Sequence, residues 1–540
     1  MTRAALSLFG LVVWAGLSVP ALGQGAGESP GESQGQATVE APMSAIDWLS
    51  ESLNAASPAP VPTGQAASQT ATLSAPLNEP PVSGSTVSQI AIGPIGGTSA
   101  DAIGILSPQL TGLPRTLWGA SKTQDLTRRI AQERPDMLPA LQGLLQKVLL
   151  AELDPPAGSS GEAVFLARVD KLLDMGALDQ AYALLERAGA LSPEITRRWF
   201  DVALLIGQED KLCEIMLDSP DLTPTYTARV FCMARAEDWD GAVLMLNNAR
   251  ALGLVDAAED DLLAWFLDPE LFDGEPYLPL PDPLTPLKFR LFEAIGQPIS
   301  TASLPLAFVQ SDLRDNTGWK AQLAAGERLA RTGAVSDNQL LGLYTERKAA
   351  ASGGVWDRVM VVQALELALK SKRKAEIAEV LPQVWQALSY AEVEVPISRI
   401  HGAELARMRL GGAAGDIAYR MGLLTDEYEI IARDYAVSGE MAQFLAGVAQ
   451  GALAGVTPPS EAARAVADGF GATTTPARFQ PLIEGDRLGE AILSALTLFT
   501  TGARGDFGKV SDAIALLRAV GLEGTARRAS LEYLILDRRG

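Results

Sequence analysis

Few side chains in this chain of 540 residues have the types and spacing that catalysis requires. There is one histidine, His401, so zinc sites built on two or three histidines are excluded. A Ser-His-Asp triad would depend on His401 alone. The Gly-x-Ser-x-Gly match at 31–35 lacks the flanking strand and helix of a nucleophile elbow. We interpret His401 as a structural residue and predict no catalytic residue, no metal site and no cofactor.

Paired carboxylates offer a second route to catalysis, because glycosidases work with two of them. The chain has 65 acidic residues, too many to select a pair from the sequence. The run 259–261 is acidic and lies at the predicted start of a helix, where acids offset the helix dipole. The basic run 370–374 lies at a helix end for the complementary reason. A patch for an anionic partner is the alternative interpretation of that basic run.

The two cysteines are predicted to form a disulfide bond. Cys213 lies in the second helix of one predicted helical pair and Cys232 in the first helix of the next, roughly level across the turn near Asp221. An oxidising compartment favours the bond. Two buried free thiols are the alternative, since thiols are common in helical cores. A redox-catalytic role is not expected, because there is no Cys-x-x-Cys motif.

The first 23 residues have the pattern of a signal peptide. Arg3 precedes a mostly apolar run at 4–19, and small residues stand at Ala21 and Gly23. We predict cleavage after Gly23, which makes the mature chain periplasmic and limits its membrane contact to the signal peptide. An uncleaved anchor is the alternative, because residues 4–22 nearly span a bilayer.

Composition favours a large acidic protein made of helices. The formal net charge of −21 argues against a nucleic-acid partner, because phosphate binding needs clustered Lys and Arg. The hydrophobic content is 47% and the aromatic content only 6%, which suits close packing of helix on helix.

Residues 24–111 are predicted to be a disordered tether, because Gly, Ser, Pro, Ala and Thr dominate and large apolar residues are sparse. A short amphipathic helix is predicted within it at 43–54, where Ser44 and Asp47 form a capping box. We predict that this helix docks into a groove, on a partner or on the protein itself; a chance cluster is the alternative. Its apolar docking residues are Met43, Ile46, Trp48, Leu49 and Leu53.

Residues 112–266 are predicted to form a helical-repeat segment with a period of about 31 residues, because no helical pair buries its apolar face alone. The first helices are expected to start near Glu162, Pro193 and Pro224, the last of these capped by Thr223. The repeat predicts equivalent core positions in the three units, namely Val169, Phe200 and Phe231 in the first helices and Ala181, Leu212 and Val243 in the second.

The repeat resembles tetratricopeptide-type repeats in Leu172-x-x-x-Gly176 followed by Asp179-x-Ala181-Tyr182, over about residues 162–252. Its period is shorter than the roughly 34 residues of that family, and most of the family's Trp, Tyr and Pro signature positions differ. The resemblance implies a superhelix whose concave face binds peptides or other proteins. The layout also resembles secreted proteins of Gram-negative bacteria, which adds a compartment and no activity.

A Pro-rich break is predicted at 267–286, followed by a second helical segment at 287–540 with a less regular period. The predicted fold is thus an all-α solenoid of antiparallel helical hairpins that follows a disordered tether. The function hypothesis is a non-enzymatic periplasmic scaffold or adaptor that binds another envelope protein.

The alternative hypothesis is a cell-wall (peptidoglycan) enzyme or an accessory factor to one. Lytic transglycosylases combine a helical superhelix with a Glu-Ser pair in a lysozyme-like module. In this chain the pair Glu51-Ser52 falls in the predicted tether, with no such module around it.

Overall fold

The computed structural model describes residues 99–159, 161–435 and 438–536. These residues form 25 α-helices and no β-strand, apart from one isolated bridge between Leu106 and Ala151. The prediction of an all-α fold of consecutively paired helices is confirmed. The predicted signal peptide and the predicted docking helix at 43–54 lie outside the described residues.

Eleven helices precede or directly follow the Pro-rich break. They are α1 Pro108–Thr111, α2 Thr123–Gln132, α3 Pro139–Leu150, α4 Ala163–Asp174, α5 Leu178–Ala188, α6 Pro193–Ile206, α7 Asp210–Asp218, α8 Tyr226–Arg235, α9 Trp239–Leu252, α10 Ala257–Leu267 and α11 Pro286–Ala294.

Fourteen helices make up the remainder of the described chain. They are α12 Leu306–Val309, α13 Trp319–Ala330, α14 Asp337–Thr345, α15 Val355–Ser371, α16 Lys374–Ala391, α17 Glu394–Arg407, α18 Gly412–Leu423, α19 Tyr428–Asp434, α20 Glu440–Gln450, α21 Glu461–Gly471, α22 Gln480–Glu484, α23 Leu488–Gly502, α24 Phe507–Ala519 and α25 Glu523–Ile535.

Three helical pairs form the predicted repeat: α4 with α5, α6 with α7, and α8 with α9. The equivalent positions in the first helices, Val169, Phe200 and Phe231, are all buried, as predicted. The rings of Phe200 and Phe231 pack edge to face with centroids 6.4 Å apart. Each unit therefore passes its apolar face to the next, which is how stacked hairpins acquire a continuous core.

The repeat is less regular than predicted at its third unit. The first helices begin at Ala163, Pro193 and Tyr226, so the second step is three residues longer than the first. A 3-10 turn at Pro220–Leu222 takes up the extra length. The predicted cap at Thr223 is wrong: Thr225 accepts the hydrogen bond from Ala228 N, because the sequence Thr-Pro-Thr offers two hydroxyls and the inserted turn selects the second.

A buried arginine fixes the segment that precedes the repeat. The Arg168 guanidinium on α4 is fully buried and donates to the carbonyl oxygens of Leu149, Ile103 and Ala151 at 2.6–2.8 Å. Burial lowers the pKa of Arg168 to about 10. The segment 99–106 is held against α4 in this way, since each main-chain acceptor gains a charged donor.

The last helices of the chain pack against the first ones. Helix α23 contacts α2, and α25 contacts α3. The fully buried Glu490 carboxylate accepts a hydrogen bond from Arg129 at 3.0 Å, and Trp118 packs so closely on Gly489 that a Cβ there would lie 2.4 Å from its ring. Ala140 N donates to Glu532 at 2.7 Å. The apolar side of the first helices is therefore covered by the C-terminal ones.

The middle of the chain contacts the first repeat unit. Thr332 Oγ1 donates to the carbonyl of Met175 at 2.7 Å, and Gln142 donates to the carbonyl of Arg331 at 2.6 Å. Gly176, whose φ is 74°, leaves room for Leu329, because an ideal Cβ would lie 2.5 Å from that side chain. The helical segments on the two sides of the Pro-rich break are thus in direct contact.

The interface between α2 and α23 contains a carboxyl group that resists ionisation. Glu133 is buried, and its Oε1 accepts a hydrogen bond from Thr497 at 2.9 Å. Its Oε2 has no hydrogen-bond partner within the described residues. Burial raises the pKa of Glu133 to about 8, against the smaller opposing effects of Thr497, Lys171 and Arg129.

We predict that Glu133→Gln flattens the pH dependence of stability. The folded pKa lies above the unfolded value of 4.5, so the stability contributed by the protonated carboxyl is present below that value and lost as the pH rises through about 8. The free energy of unfolding of the wild type should therefore fall across this window by up to about 5 kcal/mol more than that of the variant. Urea denaturation between about pH 5 and 9 measures the difference.

Glu490→Gln is the matched control at the same interface. Burial raises the pKa of Glu490, but hydrogen bonds from Arg487, Ser121 and Arg129 outweigh it, so the net pKa is lowered. That variant should lose stability at neutral pH, where the wild-type carboxylate is ionised. Parallel pH profiles for Glu133→Gln and the wild type would show that Glu133 ionises freely in the folded protein.

We predict that replacing both cysteines by serine lowers the free energy of unfolding by about 3 kcal/mol, the chain-entropy value for closing a short loop. Cys213 and Cys232 are 19 residues apart, with their Cα atoms at 4.9 Å. Denaturation with and without a reductant provides the comparison. Reduced wild type should match the double variant, and a wild type insensitive to reductant would contradict the bond.

Candidate protein-interaction surface

A cluster of apolar side chains is exposed where the repeat ends. Trp239 and Val243, one turn apart on α9, are 48% and 45% exposed. The Trp239 ring contacts Phe266 of α10 with centroids 6.2 Å apart. We call these three residues the α9 surface. A tryptophan at the centre of such a cluster is typical of protein-binding sites.

Val243 corrects the sequence prediction, which placed it in the core. Its equivalents in the first two units, Ala181 and Leu212, are fully buried, whereas Val243 is exposed. The first two units are followed by another complete helical pair, but the third is followed by α10 alone. The side of α9 that faces the next unit is therefore uncovered.

The sequence explains why α10 has no second helix after it. One period of 31 residues beyond α9 lies the stretch 270–283, which contains four prolines. Proline has no N–H for a helix and clashes with the preceding turn. All of residues 268–285 are described, and they contain one 3-10 turn, Pro269–Phe272, and no α-helix. We call residues 268–285 the strap.

The strap is anchored at several points and presents apolar side chains outward between them. Phe272 stacks on Trp265 of α10 at 5.1 Å, Leu278 N donates to Gln297 at 3.0 Å, and Leu284 is buried. Tyr277 is 82% exposed, and Leu271 and Leu280 are exposed almost as fully. The strap thus extends the apolar surface without covering α9.

The charge around this surface is strongly negative. Residues 237–285 include one basic residue, Arg250, which is paired with Asp260 at 2.7 Å. The acidic residues of the same stretch number twelve, and most of them are exposed: Glu237, Asp238, Asp240, Asp256, Glu259, Asp260, Asp261, Asp268, Glu270, Asp273, Glu275 and Asp282. A field of one sign steers oppositely charged partners and repels like-charged ones.

A cavity of about 550 Å³ lies beneath the strap, between α6, α8, α10 and α11. Asp201 lines it and is buried; burial raises the pKa of Asp201 to about 6, although Arg197 and Arg198 oppose the shift. The nearest cation is Arg197, whose Nε lies 4.0 Å from Asp201 Oδ2. The hydroxyls of Thr225 and Thr285 in its wall cap helices, so they already serve the fold.

A second cavity, of about 350 Å³, lies where the first, middle and last parts of the described chain meet. Its three arginines are engaged in structural contacts. Arg328 donates to the carbonyl of Thr301, Arg331 donates to the carbonyl of Ala391, and Arg504 pairs with Asp136 at 3.2 Å. These guanidinium groups hold loops in place.

The histidine joins two helices. His401 Nε2 on α17 lies 2.7 Å from Glu366 Oε1 on α15. Burial lowers the pKa of His401, while Glu366 and Glu404 oppose the shift. The contact fits the structural role that we assign to this histidine.

The predicted disulfide partners lie together, with their Sγ atoms 2.07 Å apart. The acidic run 259–261 begins α10 as predicted, and Lys288 pairs with Glu259 at 3.3 Å. The basic run 370–374 lies at the junction of α15 and α16, where Lys374 Nζ donates to the carbonyl of Met408. The two charged runs therefore support helix ends and neighbouring loops.

No protein-family model, curated protein or solved structure matches this chain. The likeness to tetratricopeptide repeats thus depends on the short motif at 172–182. In the part of the chain that the structure describes, no helix is long and apolar enough to cross a bilayer. Nor do the described side chains include three His, Cys, Asp or Glu residues grouped to hold a metal ion.

Sequence reasoning missed the α9 surface because it treated the third unit as an interior one. The signal was present in the prolines of 270–283. They fall where a fourth second helix would lie, so they indicate that nothing in the repeat covers Val243.

We predict that the α9 surface contributes little to stability. Val243→Ala should change the free energy of unfolding by less than about 0.5 kcal/mol, because the side chain is exposed. Leu212→Ala, at the equivalent buried position one unit earlier, should cost about 2–5 kcal/mol. Urea denaturation of the two variants makes the comparison. Equal losses would mean that Val243 is covered in solution.

Proposed function

We propose that this protein is a non-enzymatic helical-repeat scaffold that works outside the cytoplasm and binds another envelope protein through the α9 surface. The observation that carries the proposal is the exposure of Trp239 and Val243 at a register where the preceding units bury their side chains. An apolar surface that the fold does not use is available to a partner.

Two features support a location outside the cytoplasm. The N-terminal pattern predicts a signal peptide with cleavage after Gly23. The pair Cys213 and Cys232, at bonding distance, is compatible with an oxidising compartment, because reducing compartments keep such pairs as thiols.

The frame behind the surface supports a scaffold role. Helix α9 packs on α8, whose Cys232 is linked to Cys213 of α7, and Phe231 of α8 stacks on Phe266 with centroids 5.9 Å apart. A surface held this rigidly loses little conformational entropy when a partner binds. Binding energy is then available for affinity.

The proposal is tested by photocrosslinking in the source cells. The photoreactive residue p-benzoylphenylalanine replaces Val243 in the full-length chain and, as a control, Leu367, which is exposed on α15. We expect a crosslinked protein from position 243 and none of the same mass from position 367. The additional substitution Trp239→Ala should reduce the yield by about tenfold, because an aromatic anchor is removed.

Two outcomes would contradict the proposal. One is equal crosslinking from positions 243 and 367, which would indicate unspecific contact. The other is release of soluble fragments from peptidoglycan by the purified mature chain, which would favour the cell-wall enzyme.

A further inference from the structure

We propose that the α9 surface binds a single amphipathic helix with a cationic polar face, which packs where the fourth unit of the repeat has no second helix. This inference rests on the proposed function and specifies the partner's chemistry. It is carried by the repeat register, by the apolar residues of the surface and by its charge.

The repeat register defines the shape of the ligand. The second helices α5, α7 and α9 contain 11, 9 and 14 residues, and each of the first two is followed by another second helix one unit later. After α9 that place corresponds to 270–283, whose four prolines prevent a helix. A partner helix of about three turns therefore has the length of the absent element.

The apolar residues define one face of the ligand. Trp239 and Val243 are separated by one turn of α9, and Phe266 lies beside Trp239. A helix that packs along α9 meets these residues with side chains at positions i, i+3, i+4 and i+7. One apolar stripe is therefore required, and the opposite face of the ligand remains in water.

The charge of the surroundings defines that opposite face. The stretch 237–285 has twelve acidic residues and one basic residue, so a helix with Lys and Arg on its polar face is attracted and an acidic one is repelled. Part of the attraction is long-range and decreases with ionic strength.

The same charge argues against two other occupants. The chain's own segment 43–54 contains Asp47 and Glu51 and no basic residue, so it would add negative charge to a negative surface. A second copy would bring its own acidic α9 surface against the first. A helix from a different, basic protein segment fits both the shape and the charge.

The test uses three fluorescently labelled synthetic peptides and the full mature chain. The first peptide has 14 residues, the length of α9, with Leu at i, i+3, i+4 and i+7 and Lys elsewhere on the polar face. The second replaces each Lys by Glu, and the third carries a central proline. Fluorescence anisotropy measures the affinity of each peptide at low and at moderate salt.

We expect saturable binding of the Lys peptide that weakens with salt, and binding of the Glu and Pro peptides that is about tenfold weaker or absent. The variant Trp239→Ala with Val243→Ser should weaken the Lys peptide by about tenfold. Leu367→Ser, on exposed α15, should leave it unchanged.

The inference is overturned if the Glu or Pro peptide binds as tightly as the Lys peptide, or if the α9 variant binds like the Leu367 control. Occupation by a second copy would appear as a dimer in analytical ultracentrifugation that Val243→Ser dissociates. Occupation by the chain's own segment would appear as Lys-peptide binding that arises only after deletion of residues 43–54. Either result overturns the inference.

These outcomes are separate from failure of the proposed function. If position 243 crosslinks to a partner through a segment that is acidic or not helical, the scaffold proposal stands and the inference about the helix is wrong. If position 243 gives no specific crosslink, the scaffold proposal itself fails.

Discussion

A stack of helical hairpins must cover the apolar faces of its first and last units, and this constraint shapes the described part of the molecule. Interior units cover one another, as the buried series Val169, Phe200 and Phe231 shows. The first helices are covered by the C-terminal helices α23 and α25. After α9 the chain supplies the Pro-rich strap instead of a helix, and Trp239 and Val243 are left exposed.

The cover on the first helices combines apolar packing with an unequal pair of buried acids. Glu490 stays ionised because Arg487 and Arg129 donate to it, whereas burial keeps the pKa of Glu133 near 8. A buried carboxyl without a full set of charged partners costs stability when it ionises. The frame behind the α9 surface is therefore more stable in mild acid than in base with respect to Glu133.

The sequence was informative about local pattern and less so about long-range contact. The 31-residue period predicted the helical pairs and the burial of Phe200, because a repeat places the same side chain at the same site. It misplaced Val243, since the exposure of a side chain in a repeat depends on the next element of the stack. The pairing of Arg129 with Glu490 joins residues far apart in the chain, and no local signal encodes such contacts.

The central claim is that α9 is complete as a structural element and open as a binding element. Amide hydrogen exchange, measured by mass spectrometry, tests it on the mature chain alone and with the cationic helical peptide. We predict slower exchange in α9 and α10 on binding and no change in α15. Exchange in α9 that is unaltered by the peptide, or slowed equally across α15, would contradict the claim.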